Sequence, residues 1–292
     1  MTPAAPAVTA AERPALTAAL HFRLPFGRQA WRGSQGNWLG SGLGSSIDFQ
    51  DHRAYVAGDD PRYIHWAAYA RTGQLTMKLF RAEVAPMVDL AVDLSASMTY
   101  DPAKAARTDE VIAFCVRSAD QAGAPVRLHG FDGPRIRALP LDWFRAGRWR
   151  ERLPVQPSSP GSAPALLPWR PGALKVLVSD LLFPGDPAGV LGPLAAGSGL
   201  ALVLAPTLAA ERELLPRGNL ELVDCEGGAS RHQRVDALLA ERYRTAYRRH
   251  FALWDAAARQ RGVLLAPVPA EGELKNALAG EPLRLGAVEH RV

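Results

Sequence analysis

Cysteine, lysine and uninterrupted apolar runs are the scarce features of this 292-residue chain. Its two cysteines, Cys115 and Cys225, lie in unlike contexts with no Cys-x-x-Cys pair, which excludes a disulfide framework and a zinc ribbon and fits a reducing, cytoplasmic setting. The best apolar stretch, residues 194–208, is broken by Gly197, Ser198, Gly199 and Pro206, short of the roughly 18 residues a membrane span needs. No membrane span is expected. The Ala/Pro/Thr-rich start is interrupted by Glu12 and Arg13 and has no apolar centre of the kind an export signal carries, so it reads as a disordered tail. Only Lys78, Lys104, Lys175 and Lys275 among the 34 basic residues are lysines, and the net charge of +5 therefore rests on arginine. A basic balance invites a nucleic-acid reading. The accompanying abundance of Ala, Gly and Pro points instead to a compositional bias, and no nucleic-acid partner is expected.

What the chain does contain is a core. Hydrophobic residues make up 48% and charged residues 22%, values of a globular protein, and the length allows one large domain or two of about 150 residues. There is no repeat at solenoid or propeller periods. Residues 1–34 read as an arm, disordered or docked, with too little apolar content to fold alone. Residues 35–84 read as a β-rich extension of short strands and turns, including Gly58-Asp59-Asp60-Pro61-Arg62 and the alternating run Leu75-Thr76-Met77-Lys78-Leu79-Phe80. Residues 85–282 alternate short apolar strands (87–94, 126–131, 174–178, 200–205) with helical stretches (103–122, 233–260), and residues 283–292 read as a tail. Apolar strands alternating with helices predict an α/β domain, a mostly parallel sheet covered on both faces. A last strand is expected over 262–268 at a sheet edge and a last short helix over 274–278. Along 235–258 the stripe Val235, Leu239, Tyr243, Tyr247, Phe251, Trp254 and Ala258 predicts a long amphipathic helix with its aromatic side in the core.

Asp93-Leu94-Ser95-Ala96-Ser97 follows directly on an apolar strand and precedes a helix. In an open parallel sheet the crevice beyond the carboxyl ends of the strands collects ligands, and alternation aims Asp93, Ser95 and Ser97 to one side of the loop. Ser179-Asp180 occupies an equivalent place after residues 174–178. If the two strands are neighbours, two carboxylates and several hydroxyls share one site. Those are hard oxygen ligands suited to Mg²⁺, or to Mn²⁺ or Ca²⁺, and without His or Cys they disfavour zinc. The alternative is that Ser95 and Ser97 merely cap the following turn.

Asp-x-Ser-x-Ser at Asp93, Ser95 and Ser97 resembles the metal-ion-dependent adhesion site of the von Willebrand factor type A fold. Arg53-x-Tyr55-x-x-Gly58-Asp59-Asp60-Pro61-Arg62-x-Ile64-x-Trp66, with Ala70-Arg71-x-Gly73 and the segment 220–226, resembles the bacterial family named domain of unknown function 58. The resemblance implies a type A-like (Rossmann-like) fold with an N-terminal β-rich extension, and a MoxR-type AAA+ ATPase as associate. The function it implies is a non-enzymatic, metal-dependent protein-interaction role in assembly or chaperone-like maturation. Carried over, Ser95 and Ser97 ligate the metal, Asp93 and Asp180 hold its waters, and a carboxylate from a protein partner completes the shell. Such sites usually add a loop Thr. Here the loop over 154–164 has Ser158, Ser159 and Ser162 instead, and Ser162 is the expected substitute.

Three rival readings accompany this one. Asp93 and Asp180 would serve a metal-dependent phosphohydrolase or nuclease, but the chain lacks a second carboxylate two residues after Asp93, a Walker motif and a Gly-x-Ser-x-Gly elbow. A triad of Ser97, Asp180 and His232 has the right order without the elbow. Arginine-mediated nucleic-acid binding through residues 231–249 lacks interleaved exposed aromatics. Asp59, Asp60, Arg62 and Arg71 are expected to form a structural ion-pair network, and His65 with Trp66 a packed pair.

Overall fold

The protein is described by a computed structural model over residues 9–28, 35–43, 49–57, 59–84, 86–147, 149–152, 164, 166–213 and 217–291. An antiparallel three-stranded sheet comes first, with β1 (Gln35–Leu43) and β2 (Phe49–Ala54) on either side of β3 (Thr76–Val84). Between β2 and β3 the chain forms a helix, α1 (Trp66–Thr72), where short strands and turns were expected. Three alanines in seven residues favour helix, and Gly73, at φ 67°, supplies the left-handed stop.

The main sheet contains β4 (Val88–Asp93), β5 (Val126–Asp132), β6 (Arg135–Ala138), β7 (Leu174–Val178), β8 (Ala201–Thr207) and β11 (Leu264–Pro269), in the spatial order β11-β8-β7-β4-β5-β6. All neighbours are parallel except β5 and β6. The protein is therefore mixed α/β with a six-stranded, mostly parallel central sheet. Residues 218–235 form a separate antiparallel hairpin of β9 (Gly218–Val223) and β10 (Ser230–Val235).

Strand alternation sorts the core into two layers. Val88, Leu90, Val92, Val176, Leu202 and Ala266 meet the helix α2 (Pro102–Gln121) on one face. Ala91, Leu177, Val203 and Leu265 meet the other face, covered by α3 (Pro187–Ala195) and by Trp254 and Ala258 of α4 (Ala237–Arg261). The aromatic stripe on α4 is only partly in that core. Trp254 is buried, while Tyr243, Tyr247 and Phe251 are half-buried.

Both termini join the first layer. In the arm, Glu12–Ala19 are helical, with Ala15, Ala18 and Ala19 buried in the same layer as α2. The last ten residues, expected as a tail, bury Ala287 and Val288 and pair Glu289–His290 with Phe22–Arg23. Small side chains allow this close packing, which composition does not reveal.

Candidate functional site

The chain leaves β4 toward β5 on one side and later returns to β7 on the other, so the strand order reverses between β4 and β7. This is the topological switch point at which the following loops diverge and open a crevice. The register Val92↔Val178 sets Asp93 beside Ser179. Ser179 Oγ donates to Asp93 Oδ2 at 2.7 Å, joining residues 86 apart in sequence. The backbone N–H of Ser95 donates to Asp93 Oδ1 at 3.0 Å, and the hydroxyls of Ser95 and Ser97 lie 3.0 Å apart. Asp93, Ser95, Ser97 and Asp180 are thus brought to one cleft of about 580 Å³. Ser162, Ser158 and Ser159 lie outside the described residues. Ser95 and Ser97 make none of the side-chain cap bonds expected of helix-capping serines, since the first turn of the following short helix is held by another residue.

That residue is Glu226, from the turn between β9 and β10. Its Oε1 accepts from Ser97 N at 2.8 Å and its Oε2 from Ala96 N at 3.2 Å. The second residue that sequence reasoning missed is Lys104, in the first turn of α2, where Asp101 caps the helix and Pro102 opens it. Lys104 Nζ donates to Asp180 Oδ2 and to Glu211 Oε1, each at 2.5 Å, in full burial. Burial alone would pull the Lys104 pKa down, but the two carboxylates outweigh it and raise it above the ordinary lysine value. Asp180 Oδ1 accepts from Leu182 N at 3.0 Å, and Met98 Sδ accepts from Asp180 N at 3.3 Å. Leu181, next in the chain, holds φ at 60°, a strained value for a branched residue, and its carbonyl lies 2.7 Å from His250 Nε2.

Among the described residues no cation pairs with Asp93. Burial, and then the neighbouring Asp180 charge, push its carboxyl up to about 7, against the lowering effect of the Ser179 and Ser95 hydrogen bonds. Asp224 and Glu226 also line the cleft, and no Lys or Arg is among the described residues lining it. An acidic cleft in a basic protein, with an uncompensated carboxylate beside two hydroxyls, has the hard-donor chemistry that an Mg²⁺-like ion requires. Among the described residues no group of three or more His, Cys, Asp or Glu side chains is arranged around a common metal position, so the serine hydroxyls are a necessary part of any such shell.

The rival sites do not assemble in the same way. His232 is exposed on β10, and both Asp180 oxygens are already engaged by Lys104 and Leu182. Asp59 takes a bidentate contact from Arg53 and Asp60 one from Arg62, whereas Arg71 donates to Ala67 O within its own helix. The expected ion-pair network is two separate pairs. His65 meets His52 in a tilted ring contact, with centroids 4.7 Å apart, and Trp66 is exposed with an edge contact to Tyr69, so the expected His65–Trp66 packing gives way to these two pairs. Among the described residues no helix is long and apolar enough to cross a membrane.

Residues 51–253 match the model of the family described as protein of unknown function DUF58. No curated protein matches the chain. Similar solved structures include the conserved hypothetical protein BatB from Bacteroides thetaiotaomicron, 14% identical with a TM-score of 0.38 over 68% of this chain and 98% of that one. An aerotolerance-related membrane protein from Bacteroides fragilis NCTC 9343, carrying multiple mutations to serines, is 13% identical with a TM-score of 0.34 over 61% and 98%.

Proposed function

Because the chain belongs to the DUF58 family, whose description assigns no activity, we propose its function from the site itself: a non-enzymatic module that binds a divalent cation, Mg²⁺ first, and through it a carboxylate of a protein partner. In this reading the fold is of the von Willebrand factor type A kind. Ser95 and Ser97 face the ion, while Asp93 and Asp180 stand behind it and balance its charge. The ion would supply an electrophilic anchor for an anionic oxygen. The observation that carries the reading is Asp93, buried at 3% exposure with no cation partner among the described residues and held at the switch point beside two adjacent hydroxyls. A buried charge without a partner is costly, and sites that tolerate one are as a rule functional.

The hydrolase reading has less support. The chain has no second carboxylate two residues after Asp93, no Walker motif and no Gly-x-Ser-x-Gly elbow to supply the remaining parts of such a reaction. The MoxR-type ATPase implied by the family resemblance is the first partner we propose to test. Calorimetric titration of Mg²⁺, Mn²⁺ and Ca²⁺ into the wild type and Asp93→Ala, followed by binding of the purified ATPase with and without chelator, tests both parts. Saturable binding lost in Asp93→Ala is expected. No binding to the wild type, or equal affinity in the variant, would sink the metal reading.

A further inference from the structure

The inference rests on the metal-site reading and concerns what already sits at its mouth. The β9–β10 hairpin is exposed along most of both strands, with Val223 64% exposed, and a two-stranded ribbon of this kind has little stability of its own. Its tip, by contrast, is carefully shaped. Asp224 Oδ1 accepts from Glu226 N at 3.0 Å and Asp224 Oδ2 from Gly227 N at 3.1 Å, while Asp224 N donates to Ala229 O at 2.8 Å. This side-chain-to-backbone turn aims the Glu226 carboxylate at the segment that carries Ser95 and Ser97, 129 residues earlier in the chain.

Electrostatics make that placement unexpected. Lys104 compensates Asp180 and Glu211, but Asp93 and Asp224 line the same cleft with no cation bonded to them among the described residues, so a further carboxylate enters against like charge. We propose that Glu226 is an intramolecular occupant of the position that an acidic side chain of the partner takes, and that partner engagement swings the hairpin tip out. The exchange replaces one carboxylate by another and leaves the charge of the cleft unchanged, which is why the partner group is acidic. The hydrogen bonds of Glu226 to Ala96 N and Ser97 N lie on the turn between the two serines, so its departure frees two amides beside the metal position for the carboxylate of the partner. The partner thus competes with a tethered ligand of the same chemistry, and affinity depends on how firmly the tip is held.

Hydrogen exchange of the full chain tests this with glutarate as the carboxylate probe. In Glu226→Gln and Glu226→Ala, exchange across residues 218–235 and at the amides of Ala96 and Ser97 should rise about tenfold, as expected for loss of two charge-assisted hydrogen bonds. In the wild type, Mg²⁺ with glutarate should free the hairpin while the Ala96 and Ser97 amides stay protected, and the variants should need about tenfold less glutarate. Unchanged hairpin exchange in both variants overturns the proposal, as does equal glutarate demand in variant and wild type. If glutarate frees the hairpin equally well without Mg²⁺ or in Asp93→Ala, the metal reading falls and the occupant role of Glu226 stands.

Discussion

Lys104 Nζ donates to Asp180 Oδ2 at 2.5 Å, with the two side chains 0% and 2% exposed, so the second acid of the expected metal site carries a built-in counter-ion. The same ammonium bonds Glu211, so of the two acids of the expected site Asp93 is the one with no cation among the described residues. Breaking a buried pair from the cation side strands two carboxylates. Lys104→Met is therefore expected to lose about 3–5 kcal/mol of stability in urea unfolding. Added Mg²⁺ should recover part of that loss, because the variant's cleft has one more negative charge to neutralise. A variant as stable as the wild type would show that the pair has no structural role.

Stability should also depend on pH through Asp93. Its folded pKa, about 7, lies above the ordinary 3.8, so between those values the folded state holds a proton that the unfolded state has lost. Stability from this group is then full below about pH 4 and falls as pH rises toward 7, by a few kcal/mol on the order of 2–4. Asp93→Asn removes the titration. The variant should match the wild type near pH 4 and exceed it at pH 8 in chelator, with Mg²⁺ narrowing the gap at pH 8. A difference between the two proteins that does not change with pH would count against the uncompensated burial.

The two cysteines should behave oppositely. Cys115 is buried and its thiol pKa is pushed up by that burial, whereas Cys225 is exposed at the hairpin tip and raised by partial burial and then by Glu226 and Asp224. A thiol reagent should modify Cys225 alone in the native protein and both cysteines in denaturant. Glu226→Gln should speed the Cys225 reaction. Native modification of both thiols would contradict the packing around α2.

Pro267 and Pro269 protect a sheet edge. Ala270 N donates to Thr207 O across the β11–β8 pair, so by alternation the N–H positions of residues 265, 267 and 269 point away from the sheet, and two of them are prolines without an N–H. Replacing both with Val and Thr should expose a paired-strand template and produce concentration-dependent self-association in sedimentation. A monodisperse variant at all concentrations would show that this edge is blocked by something else.

Local pattern by itself determined the five parallel strands and the two long helices of residues 85–282, because apolar strands and a 3.6-residue stripe are written in consecutive residues; it did not give the antiparallel strand Arg135–Ala138, and it extended the long helix over 233–235, where the polar strand Ser230–Val235 pairs in a hairpin. It also determined that Asp93 ends one strand and that Ser95, Ser97 and Asp180 lie just beyond strand ends, which places them at the end of the sheet where crevices form. A further signal was legible but unused: in an arginine-rich chain, each lysine occupies a position that arginine did not take. Two of the four, Lys104 and Lys175, are buried, and a compact ammonium fits between two carboxylates or against carbonyls where a planar guanidinium would not.

Only the tertiary structure decided which side chains share the site. The β4–β7 pairing brings Asp93 to Ser179, α2 passes Lys104 beneath Asp180, and the hairpin carries Glu226 across to Ala96 and Ser97. The reason is one of range. Helix and strand periodicity act over a few residues, whereas these contacts close loops of 76 to 129 residues, and their partners are selected by strand order and layer packing.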